Sequence, residues 1–151
     1  MNTRPPLDEY FINITREVGK RSTCIRHQIG CIAVRDKQIL TTGYNGAPSG
    51  MKDCIELGCL RDQEKIPSGK NTEVCRAIHA EQNVIIQAAL HGISLEGSTI
   101  YCIYSPCILC AKMLVNAKIS RHVYLLDYAD KGFIELYKEV EIKFDKLGID
   151  N

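Results

Sequence analysis

Hydrophobic side chains recur every three or four residues near the start of the chain, after the pair Pro5-Pro6. The recurring positions are Leu7, Tyr10, Phe11, Ile14 and Val18. This spacing is typical of one face of a helix, and Gly19 is a natural stop for it. The pattern therefore predicts an amphipathic first helix that ends near Gly19.

Two short β-compatible segments follow this helix, at residues 30–34 and 39–44. The polar segment 35–38 between them suits a hairpin turn. Residues 45–71 are rich in Gly, Pro, Ser and charged side chains, and compact domains rarely contain so long a connection without a use for it. We expect this loop to be functional or to be tied down by a metal.

The second half of the chain alternates between helical and strand patterns. Four segments follow in turn: helix at 80–90, strand at 98–104, helix at 107–117 and strand at 121–126. Near the end, residues 133–137 have a helical pattern, whereas residues 140–144 alternate like an edge strand. This order indicates parallel strands joined by right-handed crossovers, with helices on both faces of the sheet. The prediction is one α/β domain over residues 1–151.

The composition fits a globular domain without a general affinity for polyanions. The 151 residues are 45% hydrophobic, and 19 Lys and Arg against 18 Asp and Glu give a formal charge of +1. No nucleic-acid partner is expected, and any phosphate must be bound locally. The first ten residues lack the apolar core of a signal peptide, and no stretch is long and apolar enough to span a bilayer. We therefore expect a cytoplasmic protein with no membrane partner.

Eight cysteines would suggest disulfides in a secreted protein, but in a reducing compartment metal binding or burial is the better interpretation. Cys31 and Cys102 fall within strand patterns, so we expect them in the core. The other six are Cys24, Cys54, Cys59, Cys75, Cys107 and Cys110. These six fall into different environments and need separate explanations.

Two short motifs stand where helices are predicted to begin. They are His79-Ala80-Glu81 and Pro106-Cys107-Ile108-Leu109-Cys110. Because Cys107 and Cys110 are three residues apart, a helical turn projects both sulfurs towards one tetrahedral ion. The positive end of the helix dipole favours the thiolates that zinc requires. With His79 as the third ligand, the motifs predict a catalytic zinc ion.

Three protein ligands leave a fourth position for water, and zinc makes hydroxide available near neutral pH. Glu81, two residues from a ligand, is placed to act as the general acid and base in attack on an amidine-like ring carbon. Taken alone, Glu81 could simply complement a helix dipole, and a lone Cys-x-x-Cys could be a redox site or a closed zinc site. The two motifs together, in this order, are the signature of zinc deaminases.

With these motifs the chain resembles the deoxycytidylate (dCMP) deaminases of the cytidine and deoxycytidylate deaminase superfamily, over nearly its whole length. Four segments add to the resemblance: Asp8-Glu9-Tyr10-Phe11, Arg21-Ser22-Thr23-Cys24, Gly43-Tyr44-Asn45-Gly46 and His79-Ala80-Glu81-Gln82-Asn83. It implies a three-layer α-β-α cytidine-deaminase-like fold, with a mixed five-stranded sheet in which an N-terminal antiparallel hairpin precedes parallel strands. It also implies a hydrolase that acts on a cyclic amidine and converts dCMP and water to dUMP and ammonia, which supplies dUMP for thymidylate synthesis.

The resemblance places substrate contacts at Tyr44, Asn45 and Tyr128. The glycines on either side of Tyr44 and Asn45 would let the backbone approach a ligand, and a strand-ending turn is the competing interpretation of the segment. Tyr128 could instead pack at the rim of the site. Arg26 and Arg121 are our candidates for the 5′-phosphate, because guanidinium groups fit phosphate geometry.

The resemblance further suggests a second, structural zinc, since Cys24 and Cys54 match two of its ligands in some relatives. The other ligands there are not all cysteine, so Cys59 and Cys75 complete the set only as candidates. Burial as small hydrophobic side chains is the competing interpretation of this cluster. Some relatives are activated by dCTP with Mg²⁺ and inhibited by dTTP, and many are hexamers, so we expect a homo-oligomer, with a hexamer favoured, and these effectors.

Two other functions compete with this interpretation. A deaminase of another nucleobase, such as tRNA adenosine, would use the same zinc and glutamate, but it must grip a polyanion. A non-catalytic, zinc-stabilised binding module is the alternative of a different class. A structural site of that kind has no use for Glu81 or for an open coordination position.

Overall fold

The computed structural model describes residues 3–149. Its helices are α1 (Leu7–Gly19), α2 (Cys54–Leu57), α3 (Leu60–Gln63), α4 (Ala80–His91), α5 (Ile108–Asn116) and α6 (Phe133–Glu139). Its strands are β1 (Gly30–Arg35), β2 (Gln38–Tyr44), β3 (Thr99–Tyr104), β4 (Arg121–Leu126) and β5 (Lys143–Lys146). The predicted first helix, hairpin strands and alternating second half are thereby confirmed.

The strands form one mixed sheet in the order β2-β1-β3-β4-β5. Strand β1 is antiparallel to both β2 and β3, whereas β3, β4 and β5 are parallel to one another. The hairpin turns at Asp36 and Lys37, whose φ angles of 51° and 62° are those of the turn that matches strand twist. The predicted mixed sheet, with its antiparallel hairpin before the parallel strands, is confirmed.

Helices cover both faces of the sheet because the strand side chains alternate between two cores. On one face, Phe11 and Ile12 of α1 pack with buried residues of β1, β3 and β4, including Ile32. On the other face, α4, α5 and α6 contribute Val84, Leu114, Tyr137 and other residues to a larger buried cluster. The three-layer arrangement leaves the ends of α4 and α5 free to build a site at one edge.

Two predicted segments differ from the structure. The last strand begins at Lys143 and not at residue 140, because Val140 caps α6 and Glu141 turns the chain with a φ angle of 60°. The long loop at 45–71 is also less irregular than its composition indicated, since it contains α2 and α3. Asp53 caps α2 by accepting hydrogen bonds from the backbone of Ile55 and Glu56 at 2.8 and 3.1 Å.

Among the described residues, 3–149, no helix is both long enough and apolar enough for a membrane span.

Candidate active site

The first helical turns of α4 and α5 carry the two motifs. His79 and Cys107 are the residues that precede these helices, each with an extended backbone. Gln82 stabilises the start of α4 by accepting a hydrogen bond from the His79 backbone N–H at 2.8 Å. Asp130 does the same for α5, because its carboxylate accepts the Ile108 N–H at 2.8 Å. Both helix starts are thus held firmly where the candidate ligands lie.

Two glycines, Gly43 and Gly46, help to set the position of His79. A Cβ atom at Gly43 would lie 2.4 Å from the Ala80 carbonyl oxygen, so this glycine lets α4 pack directly on β2. Gly46 pairs with Ile78 through backbone hydrogen bonds of 2.8 and 3.2 Å. In the structure these glycines allow the close approach of a helix and of a neighbouring backbone segment; that they also allow the approach of a ligand stays a prediction.

The structure brings His79, Cys107 and Cys110 together. Nδ1 of His79 lies 3.6 Å from Sγ of Cys107 and 3.4 Å from Sγ of Cys110. Zinc bonds of about 2.0 Å to nitrogen and about 2.3 Å to sulfur, at tetrahedral angles, separate the two ligand atoms by about 3.5 Å. Within residues 3–149, this is the one group of three or more such side chains whose ligand atoms lie within 4.8 Å of one another. The donor set and the distances fit one zinc ion.

The contacts within this group favour the thiolate at Cys107, whereas the hydrogen bond with Cys107 raises the pKa of Cys110. Hydrogen bonds from Cys110 and His79 lower the pKa of Cys107 to about 4, although burial acts in the opposite direction. The hydrogen bond with Cys107 raises the pKa of His79. A thiolate at Cys107 is the form that coordinates zinc.

Glu81 lies inside the same cavity, and only 5% of its surface is exposed. Burial raises the pKa of its carboxyl group to about 7, while the charge of His79 acts in the opposite direction. A carboxyl group with such a pKa can both accept and donate a proton near neutral pH. The arrangement can therefore supply acid and base chemistry beside a metal.

Aromatic rings form one wall of the cavity. The ring of His27 lies 5.5 Å from that of Tyr104, and Tyr104 lies 6.5 Å from Tyr128, both in edge-to-face geometry. Ser105 accepts a hydrogen bond from the Tyr128 backbone N–H at 2.8 Å, which ties this wall to the carboxyl end of β3. Such a wall suits a flat, partly apolar ring.

Of the predicted substrate contacts, the structure brings Tyr128, Asn45 and Arg26 to the cavity. Asn45 also fixes the neighbouring backbone: its side-chain oxygen accepts from the Ile29 N–H at 2.9 Å, and its amide donates to the His27 carbonyl at 2.8 Å. The side chain thus shapes the wall on which His27 lies. Arg26 forms an ion pair with Asp62 at 3.4 Å.

Tyr44 and Arg121 are not among the residues that line the cavity. Arg121 is the first residue of β4, whereas Tyr128 follows the opposite end of that strand. Its guanidinium donates to both carboxylate oxygens of Asp8 at 2.9 and 2.8 Å and to Asp145 at 2.7 Å. The guanidinium that we expected to bind phosphate is thus paired with two carboxylates. This assignment is corrected: Arg121 joins α1, β4 and β5.

The four cysteines proposed for a second zinc all line the cavity: Cys24, Cys54, Cys59 and Cys75. No three of their sulfur atoms all lie within 4.8 Å of one another, whereas the ligand atoms of His79, Cys107 and Cys110 do. Cys31 and Cys102 are fully buried and face each other on β1 and β3, which confirms their predicted place in the core.

Several cavity residues escaped the sequence interpretation, among them His27, Tyr104 and Arg61. Tyr104 could have been predicted from the sequence, because it ends a strand two residues before the Pro106 motif. Ligand-binding sites often lie at strand ends of this kind. Arg61 could not have been predicted, since it lies in the long loop and no periodic pattern includes it.

Comparison with known proteins agrees with this geometry. Residues 5–126 match the family described as the cytidine and deoxycytidylate deaminase zinc-binding region. The chain belongs to this family. The deoxycytidylate deaminase of Mycobacterium phage D29 is 34% identical over 127 residues, which cover 81% of this chain and 96% of the phage protein. The deoxycytidylate deaminase of Schizosaccharomyces pombe is 34% identical over 125 residues, which cover 83% of this chain but 38% of the yeast protein.

A solved deaminase of this family has the same fold. The dCMP deaminase of the cyanophage S-TIM5, in complex with dCMP and dUMP, is 28% identical to this chain and superposes with a TM-score of 0.79. The alignment covers 97% of this chain and 100% of the cyanophage chain. The cytidine-deaminase-like fold inferred from the resemblance is therefore confirmed.

Proposed function

We propose that this member of the deaminase family hydrolyses dCMP to dUMP and ammonia in a zinc-dependent reaction. One observation carries the proposal: the ligand atoms of His79, Cys107 and Cys110 meet within 4.8 Å, in a cavity that also contains the buried Glu81. A purely structural zinc site would have no use for that carboxylate. The names of the phage and yeast relatives, and the dCMP and dUMP of the cyanophage complex, support the choice of substrate.

Each proposed role follows from the position of the side chain. His79, Cys107 and Cys110 hold the zinc, which when bound supplies an activated water as the nucleophile. Glu81 accepts a proton from the water that attacks C4 of cytosine and delivers it to the ring nitrogen N3. It then passes a second proton from the added oxygen to the amino group, so that the C4–N bond breaks and ammonia leaves.

Four further residues are proposed as substrate contacts. Tyr128 supplies part of the aromatic wall against the base, and Asn45 and Arg26 line the same cavity. Tyr44 lies next to Asn45 outside that lining, and the family resemblance alone supports its role.

The assay that tests the function combines zinc analysis with ammonia release from several substrates. These are dCMP, CMP, deoxycytidine, dCTP and a tRNA anticodon loop. We expect one catalytic zinc per chain and the highest kcat/KM on dCMP. Turnover of the RNA alone, or of none of the cytosine compounds, would overturn the proposal.

The finer expectations from the sequence remain proposals as well. The grouping of Cys24, Cys54, Cys59 and Cys75 around one cavity supports a second zinc, and a stoichiometry of two ions per chain would test it. The size of the chain supports a single deaminase domain, and the cytoplasmic location stays a prediction from the sequence. The resemblance supports a homo-oligomer with a hexamer favoured, and regulation by dCTP with Mg²⁺ and by dTTP. Light scattering and initial rates with each nucleotide test the last two.

A further inference from the structure

A buried arginine lies in the wall of the active-site cavity. Arg61, in α3, exposes 7% of its surface and lines the same cavity as Glu81. Its Nη2 atom donates to the carbonyl oxygens of Pro67 and Lys70 at 2.6 and 2.8 Å. The guanidinium is therefore fixed in orientation.

Part of this guanidinium lacks a partner in the protein. Its Nε atom is buried and has no hydrogen-bond acceptor, and Arg61 forms no ion pair within the described residues. Burial of an unpaired charge is unfavourable unless an anion compensates it. The neighbouring Arg26 differs in this respect, because Asp62 pairs with it.

Arg61 lies close to a second cationic group, Arg26, and to the ring of His27, and the Asp62 carboxylate that pairs with Arg26 is also close. Besides burial, the charges of Arg26 and Arg61 lower the pKa of His27, which places both guanidinium groups near that ring. The backbone segment that Arg61 holds also reaches the cavity, since Ser68 lines it. A Cβ atom on Gly69 would lie 2.9 Å from Cβ of Ala129, next to Tyr128. The segment thus closes the cavity against the aromatic wall.

We propose that Arg61 binds the phosphate group of the nucleotide substrate and thereby selects a nucleotide over a nucleoside. The inference rests on the proposed deaminase function and names the residue that determines its specificity. A phosphate monoester supplies the negative charge that the guanidinium lacks, and a guanidinium matches its oxygen geometry. The zinc ligands and Glu81 would act on the base, whereas Arg61 would hold the phosphate in the same cavity.

The test compares Arg61→Gln and Arg61→Lys with a matched control, Arg76→Gln. Arg76 also has a buried Nε atom without a partner, but it is not among the cavity residues. For each protein, kcat and KM are measured with dCMP and deoxycytidine, and the Kd values of dUMP and deoxyuridine are measured by calorimetry. Inorganic phosphate is included as a competitor of dUMP.

Loss of a charged hydrogen bond predicts that Arg61→Gln raises the KM of dCMP and the Kd of dUMP by about 10- to 100-fold. The nucleosides should change little, and phosphate should no longer compete. Arg61→Lys should lie between Gln and the parent, and it serves as the test if the Gln variant is unstable. Arg76→Gln should keep the parent preference.

Two results would overturn the role of Arg61: an unchanged Kd for dUMP, or an equal loss for nucleotide and nucleoside, which would mark Arg61 as a structural support for residues 67–70. Failure of the underlying deaminase function would look different, because the parent protein itself would release no ammonia from any cytosine substrate.

Discussion

Nδ1 of His79 lies 3.4 Å from Sγ of Cys110, although 31 residues separate the two in the chain. The contact exists because the first turns of α4 and α5 lie side by side. Gly43 contributes to it by allowing α4 to pack directly on β2. Two short motifs at two helix starts are thus combined into one group that fits a zinc ion.

Replacement of a ligand should remove the metal. Loss of a side chain that only supports a metal ligand weakens metal affinity by about 10- to 100-fold. Cys110→Ser replaces a proposed ligand itself, so we expect a larger decrease in zinc affinity. Zinc content after gel filtration measures the effect. Cys31→Ala is the matched control, because Cys31 is equally buried in the same core without being a ligand. Equal zinc content in Cys110→Ser and the parent would contradict the assignment.

Replacement of Glu81 should separate catalysis from metal binding. Loss of a general acid and base lowers turnover by about 100- to 10,000-fold, and Glu81→Ala should show this loss while it keeps the fold and the zinc. Ammonia release and zinc analysis on the same preparation measure the two effects. A variant that deaminates dCMP at the parent rate would refute the role of Glu81.

Arg121 should matter for stability and not for the substrate. Its hydrogen bonds with Asp8 lower the pKa of that carboxyl group, and the pair is partly exposed, so Arg121→Gln should reduce the free energy of unfolding by about 1 to 2 kcal/mol. The KM of dCMP should stay at the parent value. A raised KM with unchanged stability would restore the phosphate hypothesis for this residue.

His122 should make the fold sensitive to acid. Burial lowers its pKa to about 3, and its ring is held by a 2.9 Å hydrogen bond between Nδ1 and the Tyr137 hydroxyl. Below a pH of about 6.5 the unfolded chain binds a proton on this histidine that the folded chain does not, so stability falls by up to about 1.4 kcal/mol per pH unit. This loss continues as the pH falls towards the folded pKa.

Urea unfolding at pH 7, 6 and 5 tests the role of His122. The His122→Asn variant should lose less stability than the parent between pH 6 and pH 5, because asparagine does not titrate there. Parallel slopes for the two proteins would show that His122 does not control this pH range.

The fold and the candidate metal ligands could be predicted from the sequence because local patterns encode both. Helical and alternating hydrophobic patterns predicted nearly every element. The three-residue spacing of Cys107 and Cys110 predicted that both sulfurs face one metal ion. Arg121 was misassigned because pairing with Asp8 joins residues 113 apart, which no local pattern encodes. Arg61 was missed for the same reason, since its burial depends on how the loop folds back over the cavity.

The most direct test of the central claim is the rate of ammonia release from dCMP before and after zinc is removed by a strong chelator. The account predicts that the chelated protein loses its activity and regains it when one equivalent of zinc is added. Full activity in protein that analysis shows to be free of zinc would contradict it.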